Sequence, residues 1–521
     1  METANREPRT ANLTGRFATW ISDRANPMLV RCIRQELRSK TFLGVFMLLL
    51  VVCTIAAISS AGASSDSPNS QMGRMLYAVL AWTWCLVVVI QAMGTFQSVI
   101  RERNEDTWDL LDLTGMGPRP VLRGLLLANL VQGQLYTAAL APFLVMAYLL
   151  RGIDLLTIGF ALVVVPLMGV AASTLAVFLA SIGNSKPARA FFGGILGLGL
   201  TGLWMMSAAL WFNLEELDFF FASFWTRSGA AWLVIGMLVN IWLAFVALML
   251  VLSGALMTHR AGDRSSGPRL LWFILWANGL AWFIGMGAFI QSQGYGSGTE
   301  LAHALAAFAI TGVLWAAVLG LFSISEDTAI SPRQARTITR APSWRRWATL
   351  LHGPGAARGR LAFLALTILS LGIGVIALAL HPGDYIWRML VAAWILVCYL
   401  AILFVIGDWV YRRPARHWLD TTALRRGFLL VLLAAFSLGP LLVALVLDPR
   451  GLDRSNIAMV SPIMGVTNVI SDSTGDRRVA LLLVSLLGVA ALLVLLFQGL
   501  RLRITTQRIA AREDDRNPRA G

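Results

Sequence analysis

Between two long apolar runs lies the most charged and most punctuated stretch of the chain, Arg101 to Leu127, RERNEDTWDLLDLTGMGPRPVLRGLLL. A helical step of 100° per residue gathers Glu105, Asp109 and Asp112 on one face and turns Trp108 and Leu111 away from it. That gives an acidic face and an aromatic anchor, which a partner's basic surface or plain solvent could each meet; neither residue set is one for bond making. Thr114-Gly115-Met116-Gly117-Pro118 then breaks the helix, because glycine supplies turn conformations and proline in a first helical turn loses no needed hydrogen bond. A second helix is expected from Pro118.

Other chemistry is hard to find. Lys40 and Lys186 are the only lysines and neither follows a glycine, so the chain cannot form the usual phosphate-cradling loop of an ATPase. His-Glu-x-x-His and Gly-x-Ser-x-Gly do not occur. Glu300-x-x-His303 is a near-motif for metal, but further ligands are lacking around it and a helix start is the expected reading. Cys32, Cys53, Cys85 and Cys398 stand apart in sequence and read as packing residues, with neither a zinc nor a disulfide pattern. No catalytic residue, metal site or bound cofactor is therefore expected in this chain, and it is not read as an enzyme.

The elements that must hold the charged stretch follow from composition. Of 521 residues 57% are hydrophobic and 14% charged, and the mean hydropathy is +0.69, far too apolar for a soluble globular protein. Segments free of Asp, Glu, Lys and Arg lie at 41–65, 75–100, 124–150, 155–185, 190–214, 229–258, 270–299, 301–325, 361–381, 389–407, 427–447 and 479–500. Each is long enough for the ~20 apolar residues that a span needs. The expected fold is an all-α polytopic membrane protein with about twelve transmembrane helices. With the N-terminus inside, 35 of the 43 lysines and arginines fall on cytoplasmic segments, and an even number of spans returns the C-terminus to the same side. The net charge of +15 is thus a topology signal and not a nucleic-acid footprint.

Thr107-Trp108-Asp109-Leu110-Leu111, followed by Gly117-Pro118-Arg119, Val121-Leu122 and Gly124-Leu125-Leu126, resembles the loop between the second and third spans of type-2 ATP-binding-cassette (ABC) export permeases. Leu125 departs from that pattern, where the family usually has lysine. The resemblance implies a permease subunit in the inner membrane, exporting a substrate and driven by a separate ABC ATPase that carries the ATP-Mg. That ATPase would dock on the 101–123 loop through Glu105, Trp108, Asp109, Leu111 and Asp112. Such a permease needs two membrane halves, so either this chain supplies both or two chains pair; the missing second elbow helix and second acidic loop favour pairing, as a homo- or heterodimer. A non-transporting scaffold and an ion-coupled carrier are the alternatives, the latter disfavoured because span interiors lack costly charges.

Along the rest of the chain, residues 1–40 form a cytoplasmic N-terminus with a basic amphipathic helix capped by Asn26 and begun by Pro27. Leu29, Ile33 and Leu37 oppose Arg31, Arg34 and Arg38, which are placed at lipid phosphates, and the permease family has an elbow helix here. The first six spans occupy 41–258, a linker 259–269, a second six-span region 270–500 and a cytoplasmic tail 501–521. Gly193, Gly194, Gly197, Gly199 and Gly202 form a small-residue stripe in the fifth span, suited to close helix packing. The second region is not read as a repeat of the first. Glu326-Asp327-Thr328 with Pro332-Arg333 only faintly echoes Glu105-Asp106-Thr107 with Pro118-Arg119. Before the last span, Ser461 is expected to cap, and Pro462 to begin, a short outer helix through Ile470.

Overall fold

The computed structural model describes residues 27–66, 72–104, 118–150, 153–183, 185–213, 228–258, 262–294, 298–326, 342, 349, 351–412, 422–447, 460–471 and 478–516. Among them are fourteen helices and no strand. In chain order these are α1 (Pro27–Leu37), α2 (Lys40–Asp66), α3 (Met72–Asn104), α4 (Pro118–Leu149), α5 (Leu155–Ile182), α6 (Lys186–Phe212) and α7 (Ser228–Met257). There follow α8 (Ser266–Ser292), α9 (Glu300–Ile324), α10 (Ala356–Leu380), α11 (Asp384–Arg412), α12 (Thr422–Leu447), α13 (Pro462–Ile470) and α14 (Arg478–Arg516). All but α1 and α13 are long and apolar enough to cross a membrane. The chain is an all-helical, multi-pass membrane protein.

Helix ends follow local chemistry. Pro27, Pro118 and Pro462 open α1, α4 and α13, where a missing N–H costs nothing. Ser185 caps α6 by accepting the Ala188 N–H at 3.4 Å. Gly355, at φ 99°, delivers the chain into α10 through a conformation that side chains rarely adopt.

The chain divides into two compact units, Met1–Thr258 and His259–Gly521. In the first, α3 is the hub and packs against α2, α4, α5 and α6. Its Tyr77, Ala81, Trp84 and Val99 are buried in the core. Trp82 and Trp204 clamp α3 to α6: their rings stack at 4.7 Å, and each indole N–H donates to the other residue's carbonyl, at 3.2 and 3.0 Å. In the second unit α9 is the hub, against α8, α10, α11 and α12. Lipid tails are as apolar as the side chains, so association between spans rests on close packing and on hydrogen bonds. Ala302, Ala306, Ala309, Val313, Ala316 and Gly320 accordingly form a buried seam of small residues along α9.

Short α13 forms over the residues expected of it, but Ser461 does not cap it. The Ser461 hydroxyl donates instead to the Ser437 carbonyl of α12 at 2.6 Å. That carbonyl is the neighbour of the one that Pro440 leaves without its helical donor.

Candidate functional site

The docking residues named from the sequence, Glu105, Trp108, Asp109, Leu111 and Asp112, lie outside the described residues. What the structure describes is the frame from which their loop leaves. Its stems are long: α3 has 33 residues and α4 has 32. At ~1.5 Å per residue each approaches ~50 Å, against a hydrocarbon core of ~30 Å. Both stems are thus longer than a span needs.

The first stem is locked at its end. Glu102, 6% exposed at its side chain, pairs with Arg31 of α1 at 3.6 Å. The next residue, Arg103, sends one guanidinium nitrogen to three carbonyls at the close of α5, those of Ala180, Ser181 and Gly183, at 3.0, 3.2 and 3.1 Å. Helix ends leave their last carbonyls without intrahelical donors, and a cation there also meets the negative end of the helix dipole. Arg189, in the opening of α6, donates to the same Gly183 carbonyl at 3.1 Å. One end of the first unit thereby ties α1, α3, α5 and α6 through polar bonds.

The second stem is held by packing. Val121, Leu122 and Leu125 are buried in the first core, and α1 lies along α4. Leu125, where the resembling family has lysine, is therefore an apolar packing residue whose carbonyl accepts the Asn129 amide at 3.1 Å. Higher in the same helices, the Gln91 amide donates to the Asn129 carbonyl at 2.6 Å and bridges α3 to α4.

Arg31, Arg34 and Arg38 are all exposed, as lipid contact requires. The apolar side of α1 differs from the expectation. Met28 and Cys32 are buried, and Leu29 and Ile33 pack against the core of the first unit, while Leu37 stays exposed. The reason is that α4 runs beside α1 and takes the face assigned to acyl chains. Arg31, placed at lipid phosphates by the sequence, pairs with the Glu102 carboxylate.

Sequence reasoning passed over Glu102, Arg103 and Arg189. The available signal was the presence of charges within one turn of a span end, where backbone carbonyls and neighbouring helix ends are within reach.

Among the described residues no three His, Cys, Asp or Glu side chains gather. His303 Nδ1 is 3.1 Å from the Thr299 hydroxyl, and its ring lies 5.4 Å from Tyr385 and 6.4 Å from His381. All four cysteines are buried and unpaired with one another. Comparison with protein-family models, with curated proteins and with solved structures gave no match.

Proposed function

We propose that this chain is the permease subunit of an ABC transporter, exporting a substrate across the inner membrane and driven by a separate ATPase that docks on the 101–123 loop. The observation that supports this reading best is the locked frame behind that loop. Glu102 and Arg103, at its start and still within α3, bind α1 and the end of α5. A force on the loop would therefore pass into several helices at once. A loop on loose stems would only bend.

In this mechanism the acidic face of Glu105, Asp109 and Asp112 sits in a basic groove of the ATPase, with Trp108 and Leu111 as the apolar contact. Closure of the ATPase on ATP displaces the loop, and the packed spans pass between discrete arrangements as rigid elements. No bond is made or broken in this chain. ATP-Mg belongs to the partner.

The test is to purify the chain from its native membrane in mild detergent and ask whether an ATPase with a phosphate-loop motif co-elutes. Reversing Glu105, Asp109 and Asp112 together is expected to abolish co-elution while the chain still elutes as a folded species. An absent ATPase, or one retained undiminished by the triple reversal, would remove the reading.

A further inference from the structure

Taken one at a time, the two units are built to one plan from unlike residues. Each hub is the second span, α3 in one and α9 in the other, and each packs against the first, third, fourth and fifth spans of its own unit. The sixth span in each packs against the third and fourth: α7 against α4 and α5, α14 against α10 and α11.

One ion pair and one inter-helix contact recur at matching places. Where the second span closes, a carboxylate meets an arginine at or just ahead of the start of the first span. Glu102 meets Arg31 at 3.6 Å, and Glu326 meets Arg269 at 2.6 Å. In the opening of the fifth span an arginine turns to a different helix end in each unit: Arg189 donates to the Gly183 carbonyl that closes the fourth span at 3.1 Å, Arg426 to the Ser325 hydroxyl that closes the second at 3.2 Å. At the far end the openings of the second and fourth spans touch. The Tyr77 hydroxyl donates to the Thr157 carbonyl at 2.8 Å, and the His303 ring lies 5.4 Å from that of Tyr385.

The plans diverge in detail. The stacked tryptophans join the second and fifth spans in the first unit, but Trp272 and Trp315, at 4.2 Å, join the first and second spans in the second unit. Arg269 lies in the first turn of α8 itself, whereas Arg31 belongs to the separate helix α1. Shared helix pairings with a shared ion pair, on sequences with little in common, are what a duplicated unit leaves after its side chains have drifted.

We infer that the second unit is a second permease half, so that one copy of this chain completes the permease and engages two ATPase copies. This rests on the ABC reading above. It replaces the expectation that two chains pair, because two copies would bring four halves where two suffice.

Native mass spectrometry of the complex, released from detergent with the co-eluting ATPase, reads the stoichiometry directly. One 56.8 kDa chain with two ATPase copies is the expected result. Two chains with the ATPase, or one chain with a single ATPase copy, would overturn the inference and leave the permease reading standing. A chain that carries no ATPase in any species would instead remove the permease reading, and the inference with it.

Discussion

The residues with most at stake for stability are Arg360 and Asp408, paired at 2.8 Å with side chains 0% and 2% exposed. They join the opening of α10 to the end of α11, each one position beyond a charge-free window. Two charges 48 positions apart carry no sign in the sequence that they meet; only the packing of α10 against α11 and α9 removes them both from solvent. A buried pair is weak evidence of net stabilisation, but removing one partner leaves the other charge stranded, at a cost of about 3–5 kcal/mol. Asp408→Ala should therefore lower stability by about that amount in denaturant titrations of the detergent-solubilised protein. Arg360→Met combined with Asp408→Leu should recover most of the loss. A double variant no better than the single one would mean that the pair is held for packing alone. The same limit on legibility applies in the first unit: Arg31 reads as a lipid contact because nothing local to it reveals Glu102, 71 positions later.

At the scale of the helix, the spans were readable because each needs only a run of apolar residues bounded by charge or proline. Which face of a span meets a neighbour was not. The glycine-rich fifth span drew attention, yet added β-carbons at Gly194, Gly199 and Gly202 would meet nothing within 4 Å; Gly193 and Gly197 face Phe96 and Met93. A tight seam lies instead on α9, where alternate steps of four and three residues from Ala302 to Gly320 line up buried small side chains; a β-carbon added at Gly374 of α10 would lie 3.1 Å from that of Ala309. A glycine count misses it; the period shows it. Ala309→Leu should thus overpack the seam and destabilise the second unit by about 1–3 kcal/mol. Gly199→Leu on α6 should change thermal unfolding little. If Gly199→Leu proves the damaging substitution, the open face of α6 is covered in the membrane by something that packs as closely as a helix.

For the molecule as a whole, the fold class follows from composition, whereas the side of the membrane on which each end lies rests on the placement of arginines. Positive charge favours the cytoplasmic face, so the end bearing Arg264 and Arg269 should be inside and the turn after α8 outside. The buried cysteines make a direct measurement simple. Cys32, Cys53, Cys85 and Cys398 are 6%, 1%, 6% and 0% exposed, so a membrane-impermeant maleimide should label the unaltered protein poorly. Arg264 and Ser292 are exposed and lie near opposite ends of α8. Their separation of 28 positions spans ~42 Å at ~1.5 Å per residue, more than the ~30 Å hydrocarbon core, so the two report on different faces. In intact, sealed membranes with that topology, Ser292→Cys should label at once from the outer face and Arg264→Cys only after the membrane is breached. The reverse pattern would invert the topology and place the 101–123 loop outside, beyond reach of any ATP-driven partner. The same labelling therefore tests the fold's orientation and the one condition that the proposed docking cannot do without.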